Sequence, residues 1–496
     1  MDQQTVVIGG GMTGLACAYR LKQLGLSVVL LEASDRAGGM IATTRHNGFL
    51  FESGPQCPRF PRTVRKLVRD IGLEPEFVRA RARAHRYILK GGQLYPAPLS
   101  PWALLVTGLI GFREKARFFA EPFSEASPPD GEESLAAFVS RKFGSATLDY
   151  LVDPFISAVF FADPADIGME SALPSVARWE REQGSVLRGA LKSRKNGQRS
   201  SLQDSLTPSA NHSSTMRLAE ALPPLGSFKN GLAALPDRLA EKLGSSLRLG
   251  ARLAVLRPPL ASPSNWFLTL DSGEEMRAQS VVLAVPADQA AGLLQLAAPH
   301  LSSLLAQIPY SPLAVVCSAY DRSQVRHSLE GFGFVVPRCE GLHTISSTWN
   351  SSIFPSRAPA GKVLLANFAR PLPDEPFLEM GSEEIAAVVE GEIAPILGIS
   401  GPAVEHMVWI YRRALPHFRI GHAARVVEIR AAERALPGLH LAGNYFAGRS
   451  LGDCIEGAFH AAEDVWRELK APAPVTNTRQ PDLPRNHMKT GKALLP

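Results

Sequence analysis

Thr5-Val6-Val7-Ile8-Gly9-Gly10-Gly11-Met12-Thr13-Gly14 decides the fold of this 496-residue chain. The first four residues are a short apolar run and the next six a glycine turn. Leu15 to Leu24 then reads as a helix that Gly25 stops. Ser27-Val28-Val29-Leu30-Leu31-Glu32 reads as a second strand with an acid at its end. Strand, glycine turn, helix and acid-tipped strand make the dinucleotide fingerprint in the context it requires. Gly9 permits the tight turn, Gly11 lets the backbone approach a pyrophosphate, and Gly14 lets the helix pack on the strand. Gly10, Met12 and Thr13 complete the turn, where free N–H groups and the positive end of the helix dipole suit phosphate. Glu32, about 20 residues beyond the first glycine, can accept both ribose hydroxyls. A glycine turn that served packing alone would not need that acid.

The residues just downstream say which dinucleotide. Arg36-Ala37-Gly38-Gly39 follows the second strand, and Phe49-Leu50-Phe51-Glu52-Ser53-Gly54-Pro55 comes soon after. An arginine and a glycine pair beyond the ribose acid resemble the extended FAD signature of the amine-oxidase-like flavoproteins. NAD sites stop at the acid, so FAD is the expected cofactor.

The bulk composition narrows the class. The chain is 45% hydrophobic and 20% charged, with 53 Lys and Arg against 47 Asp and Glu, a formal charge of +6. Such a balance suits an anionic ligand or a membrane surface. It does not indicate nucleic acid, because no Lys/Arg stripe with interleaved aromatics appears. Much of the surplus is local, at Arg79, Arg81, Arg83 and Arg86. Cys17, Cys57, Cys317, Cys339 and Cys454 are scattered without a CxxC pair, so reduced thiols, a cytoplasmic chain and no metal are expected. No apolar run reaches the roughly 18–20 residues of a spanning helix. The best candidate, Trp102 to Gly111, reads as a buried helix, with a membrane-interface helix as the alternative.

Taken in order, the chain reads as α/β: a Rossmann-type FAD-binding domain assembled from discontinuous segments, a sheet-based substrate domain, and a helical subdomain that could contact a membrane. Residues 1–84 are the first part of the nucleotide lobe. Residues 85–225 are assigned to the helical subdomain, which opens with a hairpin over 85–96 turning at Gly91-Gly92. Helical patterns run from about 101 to 190, broken by a loop from Pro122 to Glu133. The polar stretch Lys192 to Thr215 reads as a mobile loop. Residues 226–299 return to the nucleotide lobe, with a helix through Leu243 and strands at 247–256, 266–270 and 280–285. Residues 300–430 form the substrate sheet with a helix from Ser382 to Leu397. Residues 431–470 close the nucleotide lobe, and 471–496 read as a disordered tail.

Over residues 4 to 470 the chain resembles the oxygen-dependent porphyrinogen oxidases. The motifs that carry the resemblance include Phe51-Glu52-Ser53-Gly54-Pro55, Leu151-Val152-Asp153-Pro154, Gly331-Phe332-Gly333-Phe334-Val335-Val336-Pro337, Leu415-Pro416-His417-Phe418 and Gly452-Asp453-Cys454-Ile455-Glu456. The resemblance implies FAD contacts at Gly9 to Gly14, Glu32, Ala33, Arg36 and Met40. It adds Gly54, Pro55, Gln56, Cys57, Leu253, Arg449, Ser450 and Leu451. Met40 stands where some relatives carry a tryptophan, and Gln56 where some carry an arginine, a departure that removes an anchor for a substrate carboxylate at position 56. Arg86 aligns with the family's carboxylate-binding arginine, and its planar fork suits that task. Phe332 and Val335 match positions that sandwich a pyrrole ring.

The implied reaction is hydride removal from a meso carbon to the flavin, with loss of an N–H proton, repeated three times. Dioxygen reoxidises the flavin and yields hydrogen peroxide. No side chain is demanded as general base, so no catalytic residue is assigned. Protoporphyrinogen IX is the favoured substrate and coproporphyrinogen III, with two propionates in place of two vinyl groups, the alternative. An amine oxidase is the rival within the fold, and the strand Leu313 to Tyr320 lacks the lysine those enzymes carry near the flavin. Ferrochelatase, a second copy of the chain and peripheral membrane contact are candidate partners that the residues do not decide.

Overall fold

The computed structural model describes residues 2–81, 85–123, 132–195, 223–259, 265–446, 448 and 450–470. Two seven-stranded sheets organise them. In the first, Asp2–Ile8 lies between Val28–Leu31 and Glu275–Leu283, parallel to both. These strands carry Val6, Val7, Leu30, Val282 and Leu283 with no exposed surface, the continuous apolar pattern of a parallel sheet covered on both faces. The helix begins three residues before the reading from sequence, at Met12, and runs to Gln23. It packs with Leu451–Lys470 through Leu15, Ala18, Ile455 and Ala458.

The region 247–256 is two strands rather than one. Leu247–Arg248 pairs in parallel with Val28–Leu31 at one edge, whereas Leu253–Arg257 starts an antiparallel meander through Trp266–Leu270 into Glu275–Leu283 at the other. Gly250, at φ +65°, sits in the turn between them. The last parallel strand, Leu439–Leu441, pairs with the C-terminal half of Glu275–Leu283.

The second sheet runs in the order Glu405–Pro416, Tyr310–Asp321, Lys362–Ala369, Thr344–Thr348, Gly333–Val335, Arg86–Lys90, Gln93–Pro96. The hairpin grouped by sequence with the helical segment therefore forms the outer edge of this sheet. Gly333–Val335 pairs with Arg86–Lys90 in parallel, a non-local pairing that no hairpin signal announces. The helix Ser382–Leu397 covers the opposite face through Ile385, Ala386 and Val389.

Other expectations need adjusting. The apolar stretch from Trp102 is not a buried helix. Pro101–Val106 is under two turns and stops at Thr107, too short to bury more than one side: Leu104 is buried, as are Leu109 and Ile110 beyond it, whereas Trp102 is 71% and Val106 66% exposed. Lys192 to Lys195 close a helix, Val186–Lys195, and the rest of that polar stretch lies outside the described residues. Pro122 and Phe123 sit in a short 3-10 turn, and 124–131 are likewise outside, as are Arg83, Arg449 and the tail 471–496. Among the described residues no helix is long and apolar enough to cross a membrane.

Candidate functional site

The glycine turn shows why each glycine is there. Gly9 has φ +104°, and a Cβ on it would lie 2.6 Å from the carbonyl oxygen of Ala284. On Gly14 a Cβ would come within 1.8 Å of the Gly9 oxygen, so the helix lies on the strand only because that atom is missing. Gly11 differs: a Cβ there would meet nothing within 4 Å. Its openness has no packing purpose. It leaves room for a group that must approach the backbone closely.

The second glycine pair closes over the same place. Gly38 N–H donates to the Gly10 carbonyl at 2.8 Å, and a Cβ on Gly39 would stand 3.3 Å from Gly11 Cα. Arg36 holds this turn by donating to the Ala37, Gly39 and Ile41 carbonyls. It braces the cradle rather than offering its fork to a ligand. Glu32 reaches back over the turn: Oε2 accepts from Gly10 N–H at 2.5 Å and Oε1 from the N–H and hydroxyl of Ser34. Ala33 beside it is exposed.

A second helix start converges on the first. Ser450 and Asp453 bond each other reciprocally at the head of Leu451–Lys470, and Leu451 is buried with Met12. The Cys454 thiol, pushed up to about 11 by burial, hydrogen-bonds Thr13. Two sets of N–H groups without helical acceptors thus face one cradle, which fits the pyrophosphate of a dinucleotide. The residues present suit FAD: the cradle would take its phosphates and Glu32 its ribose. Leu253 is on the meander beside them, where Ala251 N–H bonds the Glu32 carbonyl. Its side chain is in the core, so the strand can offer a ligand only backbone there.

The loop Gly54 to Cys57 is built for position. Gly54 packs against the Met40 carbonyl, where a Cβ would come within 2.6 Å. Gln56 is buried and its amide is spent on the chain itself: Nε2 donates to the Glu52 and Gly54 carbonyls and Oε1 accepts from Asn350. The Gln56 side chain is therefore a loop brace and not a ligand. Pro55 is exposed. Under the loop, Glu52 and Arg357 form a buried ion pair at 3.2 Å, with Thr43 and Leu232 N–H also on the carboxylate. Burial pushes the Glu52 carboxyl up and the Arg357 guanidinium down, each against the attraction of the other. Burial also lifts the Cys57 thiol to about 12 although Arg86, Arg59 and Arg357 are near, so it stays protonated.

Arg86 opens its strand half-buried, with the guanidinium carbon 4.5 Å from the centroid of the Phe332 ring. Burial first, and then the neighbouring charge of Arg59, lower its pKa to about 10. No carboxylate among the described residues pairs with it. Beside it, strand register places Ile88, Val335, Ser346, Phe368 and Val315 in one row across five strands. Val335 and Ile88 pack with Phe155, while the Phe368 ring stands 5.7 Å from that of Phe161 in a cluster that includes Met40 and Ile345. Arg86, Phe332 and Val335 are thus brought together. Sequence reasoning missed Phe368 in that row and Ile345 and Phe161 packed beside it; strand register was the signal needed, and the sequence does not display it. Met40 joins the glycine cradle to this row.

The family model for flavin containing amine oxidoreductase matches residues 12–466. A chloroplastic protoporphyrinogen oxidase of Nicotiana tabacum is 31% identical over 475 residues, covering 93% of this chain and 85% of the relative. The coproporphyrinogen III oxidase of Bacillus subtilis (strain 168) is 28% identical, covering 94% of this chain and 98% of its own. A crystal structure from Exiguobacterium sp. 255-15, provisionally named a protoporphyrinogen oxidase, superposes with a TM-score of 0.78 at 26% identity over 94% of this chain and 99% of that one.

Proposed function

We propose, for a chain that belongs to the flavin containing amine oxidoreductase family, that it is an FAD-dependent oxidase of protoporphyrinogen IX, with dioxygen as the final acceptor. Coproporphyrinogen III is the second substrate of this reading, since relatives of both names match nearly the whole chain. The observation that carries the proposal is the pairing of an apolar row with a cation at its rim. Val335, Phe368 and their neighbours suit a large apolar macrocycle, and Arg86 on Phe332 suits its propionates.

Bound FAD supplies the two-electron acceptor for each dehydrogenation. The chain does the rest. Arg86 fixes the carboxylate edge, the row and Phe161 hold the macrocycle against the sheet, and Met40 sits between row and cradle. Among the described residues here none is free to serve as a general base: the thiols of Cys57 and Cys317 are pushed up by burial, and Glu52 is committed to Arg357. The pyrrole proton then leaves to water. An amine substrate is not favoured, since the strand Tyr310–Asp321 shows Leu313, Val315 and Cys317 to this side and has no lysine.

Peripheral membrane contact is part of the same reading. Among the described residues, six of the fourteen exposed large apolar side chains fall within 102–123, including Trp102, Phe112 and Phe123, with Arg113 and Arg117 exposed among them. That mixture suits an anionic bilayer surface. The test of function is a fluorescence time course in air on FAD-loaded protein with each porphyrinogen, against autoxidation. Porphyrin formation well above the control is expected; a yellow protein that accelerates neither would overturn the reading.

A further inference from the structure

A second guanidinium that is unpaired among the described residues stands on the same face of the substrate sheet. Arg370 follows Lys362–Ala369, and its N–H continues the ladder onto the His343 carbonyl. Alternation along the strand puts its side chain with those of Ala366 and Phe368, facing the helix Asp153–Phe160. Its Nε and Nη1 are buried and have no hydrogen-bond partner among the described residues. Among the described residues no ion pair reaches it either, although acids stand near.

Those acids are engaged elsewhere. Asp153 accepts from the Ser157 hydroxyl and the Arg338 N–H, Asp163 pairs with the Arg338 guanidinium at 3.0 Å, and Glu392 takes Thr344 and His343. They balance the charge of Arg370 at a distance without satisfying its donors. Burial, then the like charge of Arg338, lower its pKa to about 10. A buried fork with unused donors is costly unless something completes it.

Position says what completes it. Arg86 and Arg370 are separated by three strand spacings, roughly 14 Å, and by four residues along the strands, roughly 13 Å. Between them lie Val335, Ile345 and Phe368. The face is an apolar floor with a guanidinium at each of two opposite corners. We propose that Arg370 binds a substrate carboxylate on the edge of the macrocycle remote from Arg86. The inference rests on the porphyrinogen reading of the site. Protoporphyrinogen IX carries propionates on one edge only and can engage Arg86 alone. Coproporphyrinogen III carries two more propionates, which reach the second corner. Arg370 is thus the residue that lets this chain accept the tetracarboxylate.

The experiment titrates FAD-loaded protein with coproporphyrin III and protoporphyrin IX, following porphyrin fluorescence, for the wild type, Arg370→Leu and Arg370→Lys. The affinity ratio of coproporphyrin III to protoporphyrin IX should fall by about ten- to a hundred-fold in Arg370→Leu, as for loss of a charge-assisted hydrogen bond. Arg370→Lys, which keeps the charge but not the fork, should fall between. The kcat/KM ratio for the two porphyrinogens should move in parallel. Equal changes for both ligands, or none, in the variants that hold flavin would reduce Arg370 to a structural cation and overturn the proposal. If the wild type binds and oxidises neither porphyrinogen, the porphyrinogen reading itself fails, and the proposal with it.

Discussion

Replacing Gly11 with alanine should separate cofactor binding from folding. Gly11 precedes the first helix at φ −69° and ψ 178°, angles that alanine adopts without strain. The added methyl meets no protein atom within 4 Å. The apoprotein should therefore lose at most about 1 kcal/mol, the penalty for alanine at a helix N-cap. The methyl stands where phosphate oxygens must approach N–H groups. Loss of one such charge-assisted bond, at about 1.5–3 kcal/mol, weakens FAD binding by roughly ten- to a hundred-fold. Gly14→Ala is the contrast, because its Cβ would lie 1.8 Å from the Gly9 oxygen and the helix must move. Calorimetric titration of FAD into each apoprotein, beside thermal melts, reads both quantities. Gly11→Ala should melt like the wild type and bind poorly, whereas Gly14→Ala should melt low. Wild-type FAD affinity in Gly11→Ala would refute the placement of the phosphates.

Arg357→Leu strands the buried Glu52 carboxylate and should cost about 3–5 kcal/mol at neutral pH. Burial already holds the folded-state pKa of Glu52 above its usual value, and losing the cation raises it further. The folded form then binds the proton more tightly. The deficit is small below the unfolded value of about 4.3 and grows as pH rises through the folded pKa, so melts at pH 5 and pH 8 should differ more in the variant than in the wild type. Arg86→Leu should raise KM for protoporphyrinogen about ten- to a hundred-fold, with Arg86→Lys in between, as measured by initial rates. Trp102→Ser with Phe112→Ser should reduce sedimentation with anionic vesicles at least about tenfold while leaving the melting temperature in place, since both side chains are exposed.

The nucleotide lobe was legible in the sequence because its evidence is local. A strand, a turn needing glycine at fixed places and a helix follow one another within Asp2–Gln23, and each constraint acts on neighbours. The helix Ser382–Leu397 was legible for the same reason: the Glu384 carboxylate accepts from the Gly381 N–H at its start and Gly398 ends it at φ +62°. Motif resemblance supplied Arg86, Phe332 and Val335. It also put Gln56 and Arg36 among the ligands, where their hydrogen bonds show them bracing loops. A polar residue in a binding loop has two ways to be needed there, and only the location of its donors distinguishes them.

The substrate face resisted reading because five strands, distant in sequence, contribute to it. Ile88, Val335, Ser346, Phe368 and Val315 come from five separate segments, and a one-residue slip of any strand would turn its contribution to the other side. The irregularity between Thr344 and Ser346 shows how much depends on register. It brings Ile345 into the cluster of Phe368 and Ala366, where strict alternation from Ser346 would have put Ile345 on the other face. The parallel contact between Gly333–Val335 and Arg86–Lys90 then sets Phe332 beside Arg86. Gly333 can occupy that position only as glycine, at φ +139° with a Cβ that would fall 2.0 Å from the Ser347 oxygen. The cation at the rim is thus aimed by a backbone requirement on the neighbouring strand. Gly333→Ala should therefore displace Arg86 and raise KM as Arg86→Leu does, although residue 333 offers a substrate no polar side chain.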